Sequence, residues 1–451
     1  MKKNFLVVLQ LLLCGTLAAQ CFTDVSAKGF HNLALRNDGS VWAWGQNNSV
    51  QIGNGDNNDQ FTPLQITEAS NYSFIAAGRY NSTAIKEDGS FWYWGEQYLG
   101  SSGSIFTSTP QQMPDFDDCS FVSSGLNNTA VIKSDGTLYV WGWNEYGTNG
   151  NGTNISSTTP TQAGTATNWK FVAVGVQHIS GVKTNGSLWA WGRSISGATG
   201  SSTFSNLWNP TQIGSALNWD KTSSGDSSNL AIKTDGTLWA WGWNEYGQLG
   251  DGTTTERHSP VQIGTDNDWV AISINNHSLA IKSDGTLWAW GLNTYGKLGI
   301  GTFSNVLSPV QVGSDTDWWK VATGFDHTVA IKTDGTLWAW GSNTEGQLGV
   351  GTTVSSAVPI QIMAPCSPLD VTDLNEIPFT IFPNPVQDLL NFKTDPSLVV
   401  DTIKIIDLKG KVLLLFKGEK SSIDLSSIAS GFYICQVISL DKVYNLKIIK
   451  R

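Results

Sequence analysis

Four of the five histidines, His31, His178, His277 and His327, fall at one position of a repeated pattern, eight residues before a glycine. The other copies carry Asn81, Asn128 and Ser228 at that position. A ring of imidazoles has the ligand chemistry of a transition-metal site. Asn and Ser replace His freely, however, and what the three share is hydrogen-bonding capacity. The expected role is a hydrogen bond to the backbone of a neighbouring unit. A second candidate is Asn54-Gly-Asp-Asn-Asn-Asp59, whose oxygens suit Ca²⁺ but whose pattern has no match elsewhere in the chain. Gly-x-Ser-x-Gly, His-Glu-x-x-His and P-loop patterns are lacking. The sequence therefore assigns no catalytic residue, no metal ligand and no cofactor.

The elements that position these residues are seven copies of one unit. The copies turn on Gly39, Gly89, Gly136, Gly186, Gly236, Gly285 and Gly335, spaced 50, 47, 50, 50, 49 and 50 residues apart. That period suits one propeller blade, and the short runs of period-two alternation are those of strands. In the fifth copy Ser228 to Lys233 reads as a strand and Asp235-Gly236 as a type I′ turn. Thr237 to Gly242 is the returning strand, and Pro260-Val-Gln-Ile263 an edge strand opened by proline. Trp269-Val-Ala-Ile272 begins the next unit. Four strands per unit is the count of a blade.

Two tryptophan columns run through the units: Trp42, Trp92, Tyr139, Trp189, Trp239, Trp288 and Trp338, then Trp44, Trp94, Trp141, Trp191, Trp241, Trp290 and Trp340. So many exposed aromatics would form one large sticky surface, so they are expected as blade-to-blade core. A third column, Phe22, Tyr72, Cys119, Trp169, Trp219, Trp269 and Trp318, leads each unit. The aromatics left over in the loops after Trp-Gly are the expected contact residues, because aromatic anchors dominate binding hot spots. They are Tyr98, Trp143, Tyr146, Trp208, Trp243, Tyr246, Tyr295 and Phe303. Packing against their own loops is the competing reading. Blades two and four have lost the Gly-Gln-Leu-Gly signature, and blade six lacks the glycine before its histidine, departures that mark loops of altered length.

The unit resembles the repeat of the regulator of chromosome condensation family. The matching features are Ala/Ser-x-Gly, His/Asn-Ser/Thr-x-Ala-Ile-Lys, Asp-Gly-Thr-Leu, Trp-Gly and Asn-x-x-Gly-Gln-Leu-Gly-x-Gly-Thr. The resemblance implies a seven-bladed propeller over 21–364, used as a rigid interaction platform. Family members bind a small GTPase and nucleosomes, sense ultraviolet light or inhibit β-lactamases. These functions lie in loops outside the repeat consensus, so none is carried over.

After a linker at 365–379, residues 380–451 lose tryptophan and alternate as strands of a small antiparallel β-sandwich. This tail resembles the C-terminal sorting domain of the type IX secretion pathway of Bacteroidetes. The resemblance rests on Phe382-Pro383-Asn384-Pro385-Val-Gln-Asp-Leu-Leu390, Asp407-Leu-Lys-Gly-Lys411, Ser430-Gly431-Phe-Tyr433 and Lys447-Ile-Ile-Lys450. It implies engagement of the type IX secretion machinery by the tail, and a secreted or surface-attached product. Residues 1–20, two lysines and then an apolar run, read as a signal peptide and not a stable membrane span.

Residues 21–364 carry 15 Lys and Arg against 27 Asp and Glu, while 381–451 carry 10 against 7. An acidic propeller is a poor binder of phosphate backbones, so nucleic acid is excluded as partner. Export permits oxidation. A closed ring brings its ends together, so a Cys21–Cys366 disulfide is expected to staple it, with Cys119 and Cys435 as buried thiols. The whole reads as all-β: a seven-bladed β-propeller followed by a small C-terminal antiparallel β-sandwich. The expected function is a secreted protein-binding platform for an extracellular protein or glycan. The alternatives are a polysaccharide-acting enzyme and a glycan-binding adhesin.

Overall fold

The computed structural model describes residues 21–66, 71–98, 103–363, 379–394, 400–407, 412–439 and 442–451. Their strands fall into two compact units, one from Phe22 to Met363 and one from Phe379 to Lys450. The signal-peptide reading of 1–20, the stretch 408–411 of the sorting-domain resemblance and Cys366 lie outside the described residues.

Seven four-stranded antiparallel sheets make up the first unit, each from one contiguous stretch whose strands pair in chain order. Blade five is formed by Trp219–Ser224, Ser228–Lys233, Leu238–Gly242 and Arg257–Gln262. The first strand of each sheet lies at the axis, where all seven line one cavity. The loops after the first and third strands therefore share one face, the loop face. The hairpins and the connections between blades share the other, the turn face.

The Asp-Gly hairpins are not the expected type I′ turns. Gly236 N–H donates to Lys233 O at 2.9 Å and Lys233 N–H to Thr237 O at 3.1 Å, which makes a three-residue loop. Only Gly236, at φ +79°, is left-handed. Asp235 instead accepts from the N–H and hydroxyl of Thr237 at 3.1 and 2.7 Å, which holds its carboxyl below its usual range. Pro260 sits inside the outermost strand and does not open it, tolerated because that edge is free.

The two tryptophan columns do different jobs. The second is buried, Trp241 fully so. Its indole N–H donates to Ala198 O of the preceding blade at 3.2 Å, as Trp44 does to Gln347 O at 3.0 Å across the ring closure. The first is half-buried. Trp239 donates to Thr237 Oγ1 at 3.0 Å and lies beneath the Lys233 ammonium, 3.9 Å from the ring centroid. Among the described residues no strand is exchanged between first and last blades, and they meet through such contacts and through Phe325 N–H to Gly29 O at 2.9 Å.

Three blades depart from the pattern. In blade two the third and fourth strands lengthen to Phe91–Tyr98 and Ser104–Gln112 and stay paired up to Tyr98 and Ser104. Blade six has a first loop of two residues, Asn275-Asn276, one shorter than its neighbours'. In blade one Val50 stands at φ +53°, where blades three to seven carry glycine.

The second unit is a sandwich of a three-stranded sheet (Phe379–Phe382, Leu389–Thr394, Ser422–Asp424) and a four-stranded one. The latter pairs Val412–Lys417, Thr402–Asp407, Gly431–Ser439 and Lys442–Lys450 in that order. Both pack on one core that includes Leu390, Ile405, Cys435 and Ile448. Among the described residues no helix is long and apolar enough to cross a membrane.

Candidate functional site

The histidine column works between blades, but through side chains and not through the neighbour's backbone as expected. His31 Nε2 meets Ser82 Oγ at 2.8 Å, and His178 Nε2 meets Asn229 Oδ1 at 2.9 Å. His277 Nε2 meets Thr328 Oγ1 at 2.8 Å, and His327 Nε2 meets Asn32 Oδ1 at 2.6 Å. Each partner belongs to the next blade and donates onward to a carbonyl in the histidine's own long loop. Ser82 reaches Gln51 O at 2.7 Å and Asn229 reaches Ala198 O at 2.8 Å. The strand backbone of the neighbour is already engaged in its ladder, so the loop carbonyls are the acceptors left over. Burial pushes His31 and His327 down to about 3 and His178 to about 4, and holds His277 well below its usual range. These are neutral rings at physiological pH. Among the described residues no group of three His, Cys, Asp or Glu side chains is arranged to hold a metal ion.

The oxygen-rich segment of blade one is spent in the same way. Asn47 donates from Nδ2 to Asn54 Oδ1 at 3.2 Å and to Asp56 O at 3.0 Å, while Asp59 Oδ1 accepts its N–H at 2.7 Å. The arrangement does recur, against the expectation from sequence. Asn144 and Asn343 present their N–H groups to Ser156 and Ser355 at 3.1 Å each, and Asn244 Nδ2 ties Thr253 O and Thr255 O at 3.0 and 3.1 Å. Chemical identity varies at each position while its hydrogen-bonding role stays, which hides the equivalence in the sequence.

These pinned loops carry most of the expected contact residues. Trp143 and Tyr146 form an edge-to-face pair at 5.5 Å, with the Arg193 guanidinium 4.6 Å from the tyrosine ring. Trp243 and Tyr246 form the equivalent pair at 5.2 Å. Tyr295 and Phe303 project to solvent, 51% and 67% exposed. No ring contact joins one pair to the other among the described residues. Two expectations need correction. Trp208 lies in the fourth strand of blade four, not in a loop, and its ring packs where a Cβ on Gly147 would stand, 2.8 Å from Cε3. It packs over this blade-three glycine and remains 37% exposed. Tyr98 lies at the end of a lengthened strand, and its side chain is outside the described residues.

Lys297 was not anticipated. It replaces the signature glutamine in blade six and is fully buried, with Nζ 2.8 Å from Asp326 Oδ1 in the next blade. Burial lowers it, and Asp326 opposes that shift. The one sequence signal was Gly296-Lys-Leu-Gly299 where blades five and seven have Gly-Gln-Leu-Gly.

In the sandwich, the residues of the sorting motif converge on the last strand. Asn384 donates from Nδ2 to Lys447 O at 2.6 Å and accepts Ile449 N–H at 2.8 Å. Val386 N–H donates to Ile449 O at 2.7 Å, and Arg451 N–H to Val386 O at 2.9 Å. Gly431 pairs with Lys450, while Tyr433 donates its hydroxyl to Ala429 O at 2.7 Å. Phe382, Pro383 and Pro385 stay exposed beside this clamp.

Residues 10–276 match the RCC1-like domain, and 284–331 and 334–373 match the regulator of chromosome condensation repeat. The chain belongs to the RCC1-like domain family. Residues 380–451 match the secretion system C-terminal sorting domain. This RCC1-like chain is therefore a type IX cargo, delivered to the cell surface or the extracellular space. Its fold is similar to that of human WBSCR16, with 20% identity over 72% of this chain and 94% of that one and a TM-score of 0.63. It is also similar to yeast RCC1 (Prp20) solved with Kap60 bound, with 20% identity over 79% and 87% and a TM-score of 0.64. Prp20p from Saccharomyces cerevisiae, described with its binding to Gsp1p and histones, shares 21% over 81% and 89%, with a TM-score of 0.63.

Proposed function

We propose that the protein is an exported binding platform whose loop face captures an extracellular protein. The supporting observation is the pair of preformed aromatic clusters, Trp143–Tyr146 and Trp243–Tyr246, on loops that asparagines pin to the blades. Aromatics already ordered before encounter lose little entropy on binding, and such rings dominate hot spots. The similar yeast propeller is described as binding Kap60, Gsp1p and histones, which supports the use of this fold as a partner-binding body. The acidic surface favours a basic partner.

A second reading, a polysaccharide-acting enzyme or glycan-binding adhesin, is favoured by one feature. Trp243 lines a cavity of about 230 Å³ with Glu245, Thr254 and Glu256, and two carboxylates beside an aromatic ring are the parts glycosidic chemistry uses. Affinity capture with the exported protein separates the readings. A saturable protein ligand lost in Trp143→Ala/Trp243→Ala at unchanged melting temperature supports the platform. Breakdown of an added polysaccharide, lost in Glu245→Gln or Glu256→Gln, would replace it with the enzyme.

A further inference from the structure

The axis of the propeller is a blind well. All seven first strands line one cavity of about 580 Å³. Each is the end strand of its sheet, so its free edge of N–H and C=O groups faces the lumen. Four of those N–H groups are met by a serine of the blade before. Ser26 Oγ accepts from Ala77 at 2.9 Å and Ser123 Oγ from Val174 at 3.1 Å. Ser223 Oγ accepts from Ile274 at 3.2 Å and Ser273 Oγ from Thr323 at 3.0 Å.

Two residues close the loop-face end. The layer there is glycine in five blades (Gly78, Gly125, Gly175, Gly225 and Gly324), but Lys28 in blade one and Asn275 in blade six. With five side chains missing, the Lys28 stem crosses the axis, and its ammonium donates to Ser224 O of blade five. Asn275 Nδ2 holds the bar in place, donating to Lys28 O at 3.0 Å and to Gly324 O at 3.1 Å. Ser224 O is one acceptor for an ammonium with three protons, which leaves two donors on a side chain that lines the cavity. Burial pushes Lys28 down to about 8, opposed by Asp226, so it is largely cationic at neutral pH.

The open end lies at the turn face, roughly 13 Å above Lys28 for four residues of strand at ~3.3 Å each. Half its rim is an aromatic arc, with Phe74 and Phe121 rings 6.2 Å apart and Phe121 and Phe171 4.8 Å apart. Lys221, Lys320 and Asp24 occupy the other half, Lys320 paired with Asp24 at 3.2 Å. Lys221 in turn lies 3.4 Å from Asp220, so the rim charges are paired and Lys28 is the cation that lines the floor of the cavity.

We propose that this well binds the acidic end of a uronate-bearing oligosaccharide, its carboxylate on the Lys28 ammonium and its rings against the Phe74–Phe121–Phe171 arc. Sugar hydroxyls both donate and accept, so they can answer the mixed N–H and C=O edges from any side of a seven-fold lumen, whereas a peptide strand pairs with one edge. The site is on the face opposite the aromatic loop clusters and is independent of them.

The test is calorimetric titration of the full exported chain with trigalacturonate, with neutral galactotriose and with a short peptide bearing a free C-terminal carboxylate. Saturable binding of the uronate is expected, weaker binding of the neutral sugar, and a loss of about ten- to a hundredfold in Lys28→Met, since a charged hydrogen bond is removed. Phe121→Ala, at the half-buried rim, should weaken uronate binding too and keeps the test open if Lys28→Met does not fold. Trp143→Ala/Trp243→Ala should leave it unchanged. No uronate binding, undiminished binding in folded Lys28→Met, or tighter binding of the peptide than of the uronate would overturn the proposal.

Discussion

Acidification from pH 7.5 to pH 5 should destabilise the propeller through its buried histidines. Their folded pKa values lie below the unfolded value of 6.5, at about 3 for His31 and His327 and about 4 for His178. The unfolded chain therefore binds more protons, and stability that is full above pH 6.5 is lost as pH falls toward 3. At pH 5 an unfolded histidine is almost wholly protonated and a folded one almost wholly neutral. The loss is about 2 kcal/mol each, or about 6 kcal/mol for the three, with His277 adding in the same direction. Asp235 and the other turn carboxylates held below their usual range titrate under this window. Asp226 and Glu345, raised by burial, act with the opposite sign. Urea unfolding followed by tryptophan fluorescence at the two pH values measures the difference. His31→Asn/His327→Asn, which copies the Asn128 of blade three, should reduce that difference by about 4 kcal/mol, whatever it does to stability at pH 7.5. An unchanged pH response in the double variant would refute the reasoning.

Val50→Gly should stabilise the propeller by about 1 kcal/mol in the same urea assay, because a β-branched residue at φ +53° is strained; destabilisation would show that the valine packs to advantage. Cys21 is disulfide-bonded while Cys119 and Cys435 are free and buried, so pairing with Cys366 is expected. Peptide mapping without reduction should find that link, and its reduction should lower the melting temperature. Asn384→Ala removes two hydrogen bonds that hold the last strand, about 1 kcal/mol each. Cell fractionation should then find less protein at the surface and in the medium, and undiminished export would separate the clamp from sorting.

The repeat period, the Asp-Gly turns and the tryptophan columns were legible because they are local: a strand announces itself by alternation and a hairpin by its glycine. The blade architecture and the sorting domain were readable on that basis, whereas the histidine column meets neighbouring side chains and not the expected backbone. The aromatic set was only partly readable. Trp143 and Trp243 sit in pinned loops as expected, but Trp208 lies in a strand and packs on a glycine 61 residues earlier in sequence.

The sequence by itself determined the number of units, the core of each blade and the export tail, since every one of those rests on residues close together in the chain. Tertiary structure alone decided what crosses the ring. Lys28 and Ser224 are 196 residues apart, and a lysine in a glycine layer reads as a lapse in the repeat until the axis brings both to one point. The same holds for Asn384 and the last strand, whose two halves are joined only by folding. Spacing along a chain encodes hydrogen-bond ladders and turns, whereas the walls of a well or the faces of a clamp are fixed only when distant segments pack.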